Sequence, residues 1–165
     1  MKTAICTNTL IIRGIAKSLK EIYFERKTHR NLHGGNLLID DEMDVRISDM
    51  GIYGPSYNLE NRNLNQIYGV LPYIAPEVLR GKNYTAASDI YSFGIIMYTL
   101  ATGKKPWYNR AHNIGLAKNI CDGERLKIPE DTPKFYVKLM QQCWDNEPGI
   151  RPTASYLYER LNWIN

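Results

Sequence analysis

The sequence of 165 residues has few cysteines, no long apolar run and no dense run of like charge. Its cysteines, Cys6, Cys121 and Cys143, are odd in number and widely spaced, so they predict no disulfide framework. No segment reaches the roughly 18 apolar residues of a membrane span. No small-residue cleavage site follows the N-terminus. These features favour a protein of the cytoplasm or nucleus without a membrane partner.

The charge is only mildly basic, with a net value of +4. Lysine and arginine form no long run, and a nucleic-acid interface needs clustered positive charge, so no nucleic-acid partner is predicted. Hydrophobic residues make up 44% and charged residues 23% of the chain, which is typical of a globular domain. The length suffices for one domain with its own core.

Apolar periodicity predicts a mainly α fold. Residues 10–24 have an amphipathic helical pattern, whereas residues 89–100 are apolar on almost every side, which places that helix at the centre of the core. Ser88 is the predicted cap of this central helix, and Thr132 with Pro133 is predicted to start another. Further helices are predicted at residues 111–120 and 153–161. Two short apolar runs, Leu37–Ile39 and Val45–Ile47, flank an acidic link and predict a small β-hairpin.

Five short motifs then follow one another along the chain. His29-Arg30-Asn31-Leu32-His33-Gly34-Gly35-Asn36 precedes the hairpin and Asp49-Met50-Gly51 follows it. Ala75-Pro76-Glu77, Ser88-Asp89-Ile90-Tyr91-Ser92-Phe93-Gly94 and Arg151-Pro152-Thr153 come later. In this order they resemble the catalytic loop, the D-F-G and A-P-E motifs, the central helix and the late arginine of protein kinases. From residue 10 to the end, the sequence is similar to the large lobe of that superfamily, most of all to the tyrosine-kinase-like group.

The resemblance implies ATP and Mg²⁺ as cofactors and a protein as substrate or partner. Asn36 and Asp49 stand where kinases hold Mg²⁺, and through it the nucleotide, with oxygen ligands. Asn31 stands where the family has the catalytic Asp, and an amide cannot act as a base. His33 stands where many serine/threonine kinases have a lysine. An alternative is that His33 itself serves as the base.

Other matched positions are expected to be structural. Arg30 is a natural partner for a phosphate on the activation segment, and Met50 replaces an apolar phenylalanine. The expected structural residues are His29, Arg30, Met50, Gly51, Glu77, Asp89 and Arg151, and the candidate phosphorylation sites are Ser56, Tyr57 and Tyr68. Within this set, Glu77 and Arg151 are expected to form a buried ion pair, and Asp89 is expected to anchor the catalytic loop.

The smaller lobe of the kinase fold is expected to be absent. The sequence contains no G-x-G-x-x-G and no V-A-I-K, the motifs with which that lobe holds ATP. We therefore expect residues 1–165 to be a partial kinase domain with impaired phosphotransfer and weak or no nucleotide binding. If a substrate is phosphorylated, serine or threonine is favoured over tyrosine. The alternatives are a pseudokinase-like interaction module, with possible self-association through the uncovered lobe surface, and a truncated gene product without function.

Overall fold

The computed structural model describes the backbone of residues 2–50 and 70–163 and the side chains of residues 7–50 and 70–163. In these ranges six α-helices and one two-stranded sheet pack around a single apolar core. The helices are α1 (Lys2–Phe24), α2 (Pro76–Leu79), α3 (Ala86–Thr102), α4 (Ile114–Cys121), α5 (Lys134–Cys143) and α6 (Ala154–Asn162). The strands are β1 (Leu37–Ile39) and β2 (Val45–Ile47). The predicted mainly α fold with one small hairpin is confirmed.

Helix α3 lies at the centre of the core. All its residues from Ser88 to Tyr98 are buried, which confirms the predicted central helix. The cap differs from the prediction, because Thr85 occupies the N-cap position and its side chain accepts a bond from the Ser88 amide. The Ser88 hydroxyl in turn accepts from the Thr85 amide, so the two form a capping box. Gly103, at φ 66°, ends the helix in the left-handed conformation that glycine adopts without strain.

Helix α1 carries the hairpin. Its buried face includes Ile12, Ile15 and Leu19, as the amphipathic pattern predicts, but the helix begins at Lys2 and not at residue 10. A Cβ built on Gly14 would lie 2.8 Å from Val45 of β2, so the helix and strand approach as closely as glycine permits. The strands are antiparallel with Leu37 opposite Ile47, and the predicted hairpin is confirmed.

The remaining helices begin where side chains or prolines set their first turns. Asn113 caps α4 by accepting bonds from the Gly115 and Leu116 amides, so this helix begins three residues later than predicted. Pro133 occupies the N-cap position of α5, so the prediction that Thr132 caps this helix was wrong. Thr153 caps α6 by accepting from the Tyr156 amide at 3.1 Å. Helix α5 packs on α3, and the Tyr136 hydroxyl donates to the Met97 carbonyl at 2.9 Å.

The part of the chain that the structure describes lacks two features. None of its helices is both long and apolar enough to span a membrane. The same residues contain no group of three or more His, Cys, Asp or Glu side chains that could hold a metal ion by itself.

Candidate functional site

Asp89 of α3 fixes the loop that links α1 to β1. Its carboxylate oxygens accept bonds from the backbone amides of His29 at 2.7 Å and Arg30 at 2.9 Å. Arg30 has a φ of 68°, in the left-handed region that is uncommon for residues other than glycine. The two bonds to one buried carboxylate stabilise this backbone and thereby set where the rest of the loop lies.

The ionisation of Asp89 is governed by opposing effects. Burial raises its pKa to about 6, while the backbone N–H bonds from His29 and Arg30 and the Tyr23 hydroxyl act in the opposite direction. The Tyr23 hydroxyl lies 3.3 Å from Asp89 Oδ2 and 3.2 Å from the Ala86 carbonyl. Burial and the Asp89 charge together raise the pKa of Tyr23, so its proton stays on and can be donated.

His29 links the loop to the segment after the hairpin. Its ring is fully buried, its Nδ1 accepts from the Asn31 amide at 3.3 Å, and its Nε2 lies 2.9 Å from the Ser48 carbonyl. Because Nδ1 accepts, Nε2 must carry the hydrogen that is donated to Ser48. Burial lowers the pKa of His29, so the neutral ring is the stable form. His29 thus occupies a packed, bridging position.

Asn36 is the first oxygen donor of the candidate cofactor site. Its side chain is buried, and its Nδ2 donates to the Asn31 carbonyl at 2.9 Å. Its own carbonyl accepts from the Ser48 amide at 2.9 Å, so the position before Asp49 is tied to the loop. With Nδ2 engaged, the side-chain oxygen Oδ1 is the atom of Asn36 that suits a hard cation. The Asn31 backbone therefore orients a candidate ligand.

Asp49 supplies the second oxygen donor. It has a φ of 54°, and its side chain is exposed. Its negative charge opposes the lowering of the pKa of both His29 and His33. One amide and one carboxylate oxygen fit a magnesium ion that keeps waters or phosphate oxygens as its other ligands. They do not form a closed metal site on their own.

His33 is held as a hydrogen-bond acceptor at one nitrogen. Its Nδ1 accepts from the Gly35 amide at 3.1 Å, and its ring packs against Tyr73 with centroids 6.0 Å apart. Burial lowers the pKa of His33, with the Asp49 charge opposing, so the ring is neutral at pH 7. A neutral ring that accepts at Nδ1 carries its hydrogen on Nε2. The nitrogen left to meet a substrate is therefore a donor and not a base.

The remaining predicted positions fall into two groups. Arg30 donates from Nε to the Thr28 hydroxyl at 3.0 Å, and Met50 is half-buried. Gly51 and the candidate phosphorylation sites Ser56, Tyr57 and Tyr68 lie outside the described residues.

Glu77 and Arg151 form a buried, bidentate ion pair. The Nη1–Oε1 and Nη2–Oε2 distances are 2.7 and 2.8 Å, and the side chains are 0% exposed for Arg151 and 6% for Glu77. Arg151 also donates to the carbonyls of Ala87 and Asp145 at 2.8 and 2.9 Å. These hydrogen bonds satisfy the Arg151 guanidinium, as a buried charge requires. The pair ties α2 to the segment before α6.

Sequence reasoning missed the contributions of Tyr23 and Ser48. The helical pattern places Tyr23 only on the apolar face of α1, although its hydroxyl reaches Asp89 from 66 positions away. Ser48 directly precedes the D-F-G-like motif and contributes through its backbone carbonyl to His29 and through its hydroxyl, which donates to the Asn36 carbonyl at 3.3 Å. A tyrosine on an otherwise aliphatic face was the only available signal, since buried Tyr hydroxyls usually find a partner.

Comparison with known proteins shows which protein family the chain resembles. The family model described as "Protein tyrosine and serine/threonine kinase" matches residues 2–161. The chain is 31% identical over 149 residues to a "Probable serine/threonine-protein kinase" of Dictyostelium discoideum, covering 90% of this chain and 9% of that protein. It is 31% identical to a dual specificity protein kinase of the same organism, covering 82% of this chain and 27% of that protein. It is 28% identical to a serine/threonine-protein kinase of Arabidopsis thaliana, covering 91% and 26%. The chain spans less than a third of each of these relatives.

Proposed function

This chain belongs to the protein tyrosine and serine/threonine kinase family, and from that premise we propose that residues 1–165 form the large-lobe part of a kinase domain with impaired phosphotransfer. The observation that carries the proposal is Asn31. It occupies the third position of the loop whose backbone is anchored by two hydrogen bonds to Asp89, yet it offers no carboxylate. The scaffold of the site is kept while its acid–base group is replaced.

Cofactor binding in this proposal rests on Asn36 and Asp49. The family uses ATP and Mg²⁺ generally. In this chain, Asn36 Oδ1 and the Asp49 carboxylate would hold the metal, which when bound neutralises charge on the phosphates. The Asn31 carbonyl keeps the Asn36 amide turned so that Oδ1 is available, at an Nδ2–O distance of 2.9 Å.

In this proposal, the impaired step is the removal of the proton from the substrate hydroxyl. A positioned general base typically contributes about 10² to 10⁴ in rate. Neither the Asn31 amide nor the Nε2–H of His33 can accept the proton of a substrate hydroxyl in the conformation described. His33 can instead donate a hydrogen bond to a phosphoryl oxygen, as a neutral and weaker replacement for a lysine. We propose serine or threonine as the residue type of any substrate, in keeping with the names of the relatives.

Radiolabelled ATP and a generic protein substrate test the proposal. The chain should be assayed alone and fused behind the small lobe of a related kinase, each with and without Asn31→Asp. Both forms of the isolated chain should be inactive. In the fusion, Asn31→Asp should raise the rate by about 10² or more, the scale of general-base catalysis. An Asp49→Ala control excludes a contaminating kinase. Equal labelling by the fusion with and without Asn31→Asp would show that the loop needs no carboxylate.

A second candidate function is protein binding without catalysis. The hairpin exposes the apolar side chains of Leu38, Ile39 and Met43, which are 57%, 42% and 40% exposed. Clustered exposed apolar residues mark interaction surfaces. We propose that the surface formed by these hairpin residues binds a partner protein or a second copy of the chain. Association that depends on these residues, measured by light scattering, would support this role even if no phosphotransfer occurs.

A further inference from the structure

The excess of positive charge lies in one part of the chain, although no run of basic residues occurs. The chain has 21 basic and 17 acidic residues, and residues 90–121 contain four of the basic and none of the acidic ones. The rest of the chain is therefore balanced, and the whole formal charge of +4 is carried by this stretch. Two of its lysines, Lys104 and Lys105, are exposed in the loop between α3 and α4; we call this loop, together with the first residue of α4, the basic loop (residues 103–114).

The basic loop also presents apolar side chains. Tyr108 is 63% and Ile114 is 89% exposed. The Lys104 ammonium lies 5.6 Å from the centre of the Tyr108 ring, so charge and aromatic surface are adjacent. An exposed aromatic ring beside a lysine, on a segment with a second exposed apolar side chain, indicates a surface for a partner that is both acidic and apolar.

The backbone of the basic loop is held in place. Trp107 is buried and has a φ of 47°, a left-handed conformation that persists only where the surroundings enforce it. The Arg110 amide donates to the Trp107 carbonyl at 3.0 Å, and the His112 ring lies 3.3 Å from the same oxygen. Arg110 is paired with Glu124, whereas neither Lys104 nor Lys105 forms an ion pair with another described residue, so these two lysines provide the loop's available charge. A fixed loop presents these side chains at low entropic cost on binding.

The same chain carries a surface of the matching chemistry. The turn of the hairpin, residues 40–44, contains the exposed acidic side chains of Asp40, Asp41, Glu42 and Asp44. Asp40 Oδ1 accepts from the amides of Glu42 at 3.0 Å and Asp44 at 2.9 Å, which fixes the turn. We call residues 38–44 the acidic hairpin tip. Its exposed apolar side chains are Leu38, Ile39 and Met43.

We propose that the acidic hairpin tip of one copy of this chain docks on the basic loop of a second copy. Both surfaces combine charge with exposed apolar side chains, their charges are opposite, and each is exposed on its own molecule. The interface would be heterologous, because two different patches meet, and it would allow growth beyond a dimer. This inference rests on the association proposed above and names its counter-surface; it involves neither Asn31 nor Asp49.

Two pairs of neutral substitutions test it. Lys104→Gln with Lys105→Gln removes the charge of the basic loop, and Asp41→Asn with Glu42→Gln removes that of the tip. Either pair should weaken self-association about tenfold, the scale of two modest ion pairs. Lys134→Gln with Lys138→Gln, two exposed lysines beside the exposed Phe135 on α5, is the matched control and should change nothing. Association of the wild type should also weaken between about 50 and 500 mM salt, as the screening length shortens.

Mixing the two disabled variants gives the decisive measurement. At a concentration where neither variant associates alone, the mixture should form a 1:1 dimer and nothing larger by sedimentation velocity, because each variant keeps one intact surface. Thermal melts verify that all variants are folded. A wild type that stays monomeric at every concentration and salt would overturn both this inference and the proposed association. Association lost in the tip variant but kept in the lysine variant would overturn only the counter-surface. A mixture that forms no dimer would also overturn it.

Discussion

At the scale of single residues, Tyr91 has an unusual environment for a buried tyrosine. Its hydroxyl has no hydrogen-bond partner among the described residues, and the side chain is fully buried. The guanidinium carbons of Arg125 and Arg151 lie 5.2 and 5.3 Å from its ring centre. Burial raises the pKa of Tyr91 to about 12 despite these cations. The ring therefore makes stabilising cation–π contacts, whereas burial of the hydroxyl is unfavourable because its hydrogen bonds to water are not replaced.

Replacing Tyr91 by Phe should consequently raise the free energy of unfolding. An unsatisfied buried polar group costs about 1–3 kcal/mol, so a gain of about 1 kcal/mol is expected from urea denaturation. Tyr136→Phe is the matched control, since the Tyr136 hydroxyl donates to the Met97 carbonyl at 2.9 Å, and it should lose about 1 kcal/mol. Equal losses in both variants would show that the Tyr91 hydroxyl has a partner after all.

Asp89 makes stability depend on pH in a defined direction. Burial raises its folded pKa to about 6 from the ordinary 3.8, so the folded state binds the proton more tightly than the unfolded state. Its contribution to stability is then fully present below about pH 4 and is lost as pH rises through about 6. The difference in unfolding free energy between wild type and Asp89→Asn should fall over that window, by at most about 3 kcal/mol. A difference that grows with pH would mean that the amides of His29 and Arg30 outweigh burial.

At the scale of elements, the contact between α3 and α5 depends on Gly94. A Cβ at this position would lie 2.9 Å from Cys143 Cβ and 3.2 Å from the Trp144 amide nitrogen. Gly94→Ala should therefore destabilise the protein by about 1–3 kcal/mol, although alanine favours a helix. Gly149→Ala, with nothing within 4 Å of the added carbon, should be nearly neutral. Denaturant midpoints measure both, and a stable Gly94→Ala variant would contradict the close crossing.

The elements that could be predicted from sequence are those with a one-dimensional signal. The apolar character of α3 and the two short runs of the hairpin are such signals, and both predictions are confirmed. Helix starts could not be predicted as well, because a cap depends on which hydroxyl reaches the first turn. Thr85 and Ser88 bond reciprocally, and only the geometry shows that Thr85 is the cap. Pro133 similarly occupies the position that the sequence pattern gives to Thr132.

The sequence could supply candidate residues for the site, but not their hydrogen positions or the contacts that anchor them. Motif order selected Asn31, Asn36 and Asp49 as candidates, and a hydrogen bond joins Asn36 to the Asn31 backbone. The hydrogen position on His33 depends on the Gly35 amide, and the anchoring by Tyr23 depends on a contact across 66 positions. Neither follows from residue types and spacing, since both require the folded loop.

At the scale of the whole molecule, one ion pair joins distant parts of the chain. Glu77 and Arg151 are 74 positions apart and both buried. Glu77→Gln leaves the Arg151 charge without its partner, and a loss of about 3–5 kcal/mol is expected in urea unfolding. The double variant Glu77→Leu with Arg151→Met should recover much of that loss, because no charge is left buried. Breaking the exposed Arg110–Glu124 pair with Glu124→Gln should cost under about 1 kcal/mol. A double variant that loses at least as much stability as Glu77→Gln would contradict direct coupling.

Nucleotide affinity tests how much of a kinase cleft this chain holds by itself. Asn36 and Asp49 offer Mg²⁺ two oxygen ligands, and Asp49 is exposed, so most of the ion's coordination must come from water and phosphate. We expect Mg-ATP at about 100 μM to shift the melting temperature by less than ~1 °C. A ligand present at about 100 times its Kd would add about 2.7 kcal/mol, roughly 5–10 °C for a domain of this size. A shift of that order, lost in Asp49→Asn but kept in His33→Gln, would show a tight site built on the metal ligand and would overturn the expectation of weak binding.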